Sequence, residues 1–271
     1  MQSKQELDIY IDEAGDSSPY CIENPLYIVS FVCVESTDQN VNSIQSFQQK
    51  LSGHNGGDHF IHTGNLVRKE HPYKELTIQE RQSLFGCMFF FSKKARFRYF
   101  NAVIDKKSHQ EKPLCEKVSA GFVHTLESHK GYLGNFSIVR VHYDGGQAFL
   151  SDAISASCRS ILPNWEYITT KQEESPFMQL ADMLGFMELI WHKANQGSLT
   201  KSDVLFFGKK RKIHKDYIKF LETKKFWFAR YPSLEKRSEW LGLSSQKSQD
   251  ANRDKNHWER IFPPVRLAFL K

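Results

Sequence analysis

The chain has 271 residues, 40% of them hydrophobic and 25% charged, which suits one large domain or one domain with an appendage and excludes a disordered or fibrous chain. No run approaches the ~20 apolar residues of a membrane helix, and residues 1–6 are polar and lead straight into a strand pattern, not a secretory signal, so the expected location is the cytoplasm. The net charge of +6 is unevenly spread: residues 201–237 hold twelve Lys/Arg against four Asp/Glu, which favours a surface that faces a polyanion.

In chain order, residues 7–11 (LDIYI) alternate and read as a strand. Residues 15–19 form a turn, and 26–34 (LYIVSFVCV) a second strand, antiparallel to the first. Residues 41–51 read as a helix broken by His54-Asn55-Gly56-Gly57-Asp58. Residues 77–93 read as a second helix, where Thr77 and Glu80 make a capping-box pattern. A strand over 96–104, a helix over 114–129 ending near Gly131, a strand over 136–143, a helix over 149–161 and a short strand over 165–169 follow. Ser175-Pro176 then opens a strong helix to about residue 194. The basic segment reads as helical over 214–224, and the polar 244–256 stretch as a linker. Strand pairs followed by alternating helices and strands predict an α/β fold, a mixed sheet covered by helices. The expected division is a core over 1–198 and a basic C-terminal helical extension over 199–271. The five cysteines contain no Cys-x-x-Cys pair, so neither a disulfide framework nor a zinc knuckle is indicated.

Three acidic positions stand out. Asp12 ends the first strand and shares its face with Asp8 and Tyr10. Asp144 ends FSIVRVHYD on the face of Arg140 and His142. Asp182 lies in the otherwise apolar MQLADMLGF helix, three residues from Gln179 and beside Gly185. If the two strands are parallel neighbours, Asp12 and Asp144 converge. The alternatives are a hairpin turn at Asp12, an Asp-Gly turn at Asp144, and a capping or salt-bridged Asp182. Three carboxylates from two strand ends and a late helix suit Mg²⁺ or Mn²⁺ phosphoryl chemistry, because hard cations take oxygen ligands and can serve both the attacking and leaving oxygens of a displacement.

YIDEAGD on the first strand and QLADM on the last core helix, with an Asp-ended strand between, resemble the domain-of-unknown-function 3800 family over residues 7–194. The resemblance implies a ribonuclease-H-like fold and a nuclease-like activity. It implies Asp12, Asp144 and Asp182 as ligands, with Glu13 as a fourth if the strand ends there. It also points to Lys106 as a phosphate contact, its alternative being a solvated strand end, and to His62 as a proton shuttle suited by an ordinary pKa near ~6.5, its alternative being a loop histidine. Glu116 could take a helix-borne acidic position. Ala14 departs from the family's usual Ser, so a small side chain is kept and a hydroxyl lost. Lys209, Lys210, Arg211 and Lys212, followed by the aromatics 226–231, are the expected nucleic-acid contacts, unless they form only a solvated face. The expectation is therefore a metal-dependent nuclease acting on DNA or RNA; the alternative is an inactive nucleic-acid-binding or regulatory protein that keeps the fold.

Overall fold

The alternating ELDIYIDEA and the unbroken LYIVSFVCV become adjacent antiparallel strands, β1 (Glu6–Ala14) and β2 (Leu26–Glu35), in the computed structural model, which describes residues 6–21, 25–54, 60–108 and 112–226. β2 is buried along nearly its whole length, which is why its apolar run does not alternate. On its far side it pairs antiparallel with β3 (Arg98–Asp105). On the other side of β1 lies β4 (Ile138–Tyr143), parallel to it, and then β5 (Trp165–Thr169), parallel to β4. The order is β3-β2-β1-β4-β5. The expected α/β class, a mixed sheet flanked by helices, is thus the arrangement found. β1 is central, with one antiparallel and one parallel neighbour.

Helices cover both faces. α4 (Leu114–Leu133) packs on β3 and pairs with α5 (Ala148–Ile161). Phe122 of α4 meets Phe31 of β2 edge-on at 4.8 Å. α4 runs two residues past the Gly131 end expected from sequence, stopping at Gly134; a single glycine inside a helix costs only ~1 kcal/mol. The opposite face carries α6 (Pro176–Gln196), packed on β1 and β2. Beside it are α1 (Asp38–Ser52), α2 (Thr63–Arg68) and α3 (Ile78–Lys94). The Thr77/Glu80 capping box of α3 forms as the sequence predicts.

Residues up to Lys224 make one compact unit. α7 (Lys201–Phe207), α8 (Lys210–Ile213), a π turn (His214–Ile218) and α9 (Lys219–Lys224) belong to it. Phe206, Phe207, Ile213, Ile218 and Leu221 join the core around α3 and α6. The linker expected over 244–256 and the aromatics from Trp227 onward lie outside the described residues. Among the described residues no helix is long and apolar enough to cross a membrane.

Candidate active site

The site begins with how closely α6 approaches the sheet. Ser175 caps its N-terminus by accepting the Phe177 N–H, and Pro176 occupies the first turn. A Cβ at Gly185 would come 3.2 Å from both Ala14 Cβ and Ser30 Oγ. Glycine there lets the helix lie against β1 and β2. That contact brings Asp182, one turn earlier on α6, over the end of β1. Asp182 is 4% exposed and Asp12 is 6% exposed.

Asp182 accepts the Thr63 N–H at the first turn of α2. Gln179, one turn before it, accepts the Ile61 N–H at 2.9 Å and donates to Gln172 O at 3.2 Å. The one-faced Gln179/Asp182 pair seen in the sequence therefore clips residues 61–63 onto α6. Buried Arg81 of α3 holds the other end of α2, donating to Leu66 O and Val67 O.

Asp12 accepts Gln172 Nε2 at 3.1 Å. Burial first, then the charges of Asp182, Glu13 and Asp144, raise its carboxyl well above the usual range. β1 continues to Ala14, so Glu13 points away from Asp12, and Glu13 faces the α4/α5 side. There Tyr143 Oη donates to its Oε1 at 3.4 Å, Tyr27 Oη donates to Gln147 Oε1 at 3.1 Å, and Gln147 also bonds Glu13. Burial and then Asp144 push the Glu13 carboxyl up to about 7. Its Oε2 is buried without a hydrogen-bond partner.

Asp144 lies just past β4. Tyr10 and His142 are opposite each other in the parallel β1–β4 ladder, and Asp12 and Asp144 each stand two residues beyond that pair. Asp144 acts on both Asp12 and Glu13. Its Oδ1 also accepts the Gly146 N–H at 2.8 Å, and Gly145 takes φ +80°, so the Asp-Gly turn read as the alternative is present as well.

The other expected residues separate. His62 joins the site: its Nδ1, buried and without a hydrogen bond, lies 3.8 Å from Asp182 Oδ1, while the side chain is 39% exposed. Lys106 is drawn elsewhere. It is buried, and its ammonium donates to Asp16 Oδ1 (2.8 Å), Asp16 O (3.3 Å) and Ser18 O (3.1 Å). It holds the loop after β1 and has no donor left over for a phosphate. Glu116 is exposed in the first turn of α4.

Lys209, Lys210, Arg211 and Lys212 are all exposed. Lys210 Nζ lies 5.7 Å from the Trp191 ring. Trp191 is nine residues beyond Asp182, hence about half a turn around α6 and ~14 Å along it, so this part of the basic segment lies on the side of α6 away from the carboxylates. Sequence reading missed Gln172, Thr63, Tyr143 and Gln147. A short loop glutamine and a backbone N–H carry no periodic signal.

The donor set is all oxygen, which suits Mg²⁺ or Mn²⁺ rather than a thiolate metal. Asp12 and Asp182 carry buried charge of the kind a cation would offset. β1 does not end at Glu13, so the bare Glu13 Oε2 lies on the other side of the strand and the expected fourth ligand does not join them. Among the described residues, however, no three His, Cys, Asp or Glu side chains are grouped so as to hold an ion.

No family model and no curated protein matches the chain. Among solved structures, it is similar to a chain of the PCNA–ribonuclease HII complex from Archaeoglobus fulgidus, at 13% identity and TM-score 0.37, covering 90% of this chain and 98% of that one. It is also similar to ribonuclease H2 from Pyrococcus horikoshii, at 13% identity and TM-score 0.38, covering 96% and 91%. A likeness at this level does not carry an activity from one chain to the other.

Proposed function

We propose that the chain is a divalent-metal-dependent nuclease of the domain-of-unknown-function 3800 family, hydrolysing phosphodiester bonds of DNA or RNA. The observation that carries this reading is the pair Asp12 and Asp182, two buried carboxylates whose charges act on each other and whose hydrogen bonds come from the Gln172 amide and the Thr63 N–H. Isolated buried charge is costly unless paired or bound to a metal. The order of YIDEAGD on β1 and QLADM on α6 supports the family assignment.

Asp12 and Asp182 would hold the ion, with Asp144 beside them, and it would activate a water and offset charge on the phosphoryl oxygens. The protein's own groups have separate tasks. Thr63 N–H fixes one Asp182 oxygen. Tyr143 and Gln147 hold Glu13 on the α4/α5 side of β1. His62, half-exposed beside Asp182, can pass a proton between the site and water.

Specific observations favour a second reading, an inactive nucleic-acid-binding protein on the same fold. Asp144 is engaged by its own turn, Asp182 accepts the Thr63 N–H at the start of α2, and among the described residues three ligands are not grouped. Incubation with labelled single- and double-stranded DNA and RNA, with Mg²⁺ or Mn²⁺ and a chelator control, decides between them. Chelator-sensitive cleavage that Asp12→Asn abolishes supports the nuclease; tight binding without cleavage supports the second reading.

A further inference from the structure

The turn from α3 into β3 carries four cations in six residues: Lys93, Lys94, Arg96 and Arg98. Lys93 and Lys94 occupy the last turn of α3, where cations meet the free carbonyls of a helix end. Arg96 and Arg98 lie beyond the end of α3. With Lys224 of α9 they line a cleft of about 340 Å³ beside Tyr132 of α4, and Glu35 is the one acidic residue among its described lining. Among the described residues, three cations stand there against one carboxylate.

Two of the three are fixed in place. Arg98 Nη1 donates to Thr223 O at 2.8 Å, and Lys224 Nζ donates to Ala95 O at 3.0 Å. These bonds keep like charges at one opening, against their repulsion. Burial and the nearby Arg98 lower the Lys224 pKa. Arg96 and Arg98 are two residues apart and both exposed, so in extended chain they lean to the same side. Planar guanidinium forks match pairs of phosphate oxygens, and a fixed ammonium adds a point charge. The cleft also has room for a phosphate with an attached sugar, since small-ligand pockets start near ~300 Å³.

We propose that this cleft binds a phosphate group, either a phosphodiester of a nucleic-acid strand or a free phosphate or nucleotide. It is separate from the carboxylate site. Glu35 pairs with Leu7, five residues before Asp12, which is ~17 Å along the strand. In its polymer form the proposal rests on the nuclease reading, and it would make the cleft a distant anchor for a strand cut at the other end of the sheet.

The test uses the full chain and Arg96→Glu, with Arg96→Gln as a milder variant should the charge reversal fold poorly. Binding of a fluorescent single-stranded oligonucleotide is followed by anisotropy between about 50 and 200 mM salt, and binding of inorganic phosphate and pyrophosphate by calorimetry. Weaker oligonucleotide binding, with the salt slope reduced by ~0.7 for each lost contact, supports the phosphodiester form. Loss of phosphate or pyrophosphate binding alone supports the free-phosphate form. Unchanged binding of all three probes in folded variants overturns the proposal. Cleavage at saturating oligonucleotide is measured separately: a chain that binds through Arg96 and never cuts refutes the nuclease and leaves the cleft standing.

Discussion

Asp182→Asn separates a metal ligand from a structural cap. The amide is the same size and its oxygen still accepts the Thr63 N–H, so α2 stays docked. One negative charge facing buried Asp12 disappears. Without metal, the variant should therefore be as stable as the parent or more so, since Asp182 is among the charges that raise the Asp12 carboxyl. With metal the order reverses. An ion at a hundredfold its Kd stabilises the parent by ~2.7 kcal/mol. For a folded unit running from Met1 to Lys224, at ~2–4 °C per kcal/mol, that is about 5–11 °C in Tm. If losing the charge weakens binding a hundredfold, the same ion concentration gives RT ln 2, ~0.4 kcal/mol, and about 1–2 °C. The assay is thermal melting of parent and variant in Mg²⁺ or Mn²⁺ against a chelator, followed by cleavage of labelled nucleic acid. A variant that keeps the full metal-dependent shift and its cleavage removes Asp182 from the ligands. A parent with no shift removes the metal.

Three other outcomes are expected. Burial and Asp144 push the Glu13 carboxyl up to about 7 against an ordinary 4.5, and Asp12 is raised as well, so the folded state holds protons that the unfolded chain releases; the contribution of these two carboxyls to metal-free stability should be full at low pH and be lost as pH rises through about 7, with Mn²⁺ restoring it, and a stability that does not fall between about pH 5 and 8 would contradict this. Gly185→Ala forces its Cβ against Ala14 and Ser30, which should destabilise by ~1–3 kcal/mol and weaken metal binding by displacing Asp182; an unchanged denaturant midpoint would show that α6 absorbs the methyl. Lys106→Ala removes three bonds to Asp16 and Ser18 and should cost ~1–3 kcal/mol with faster proteolysis after β1, while a loss of nucleic-acid affinity at unchanged stability would return Lys106 to the phosphate contacts.

Much of the fold was legible because its elements carry strong local signals. The β1 alternation, the Thr77 capping box and the Ser175-Pro176 start each appear at the residues where the structure has them. α2 and α7 were not read: six and seven residues are too few to show a helical period. At the site, the strand alternation placed Asp12, and the stripe on α6 singled out Asp182. What each carboxylate touches was not legible, because its partners lie far off in sequence. Gln172 reaches Asp12 across 160 residues, and Thr63 reaches Asp182 across 119. Lys106 illustrates the converse error. Its position after β3 was read correctly, but its partners lie in the loop after β1, which no local pattern connects to it.

The clip between α6 and residues 61–63 has a kinetic consequence. The Ile61 and Thr63 amides bond side chains 118 and 119 positions later in the chain, so neither is protected until α6 has docked. Contacts of such long range form late, after the loop-closure entropy has been overcome. The two amides should therefore gain hydrogen-exchange protection after those of the β1–β2 hairpin, and they report on assembly of the site in the native protein. A substitution on α6 that leaves the sheet intact but loosens the clip would pass as folded by circular dichroism, yet these two amides would exchange early.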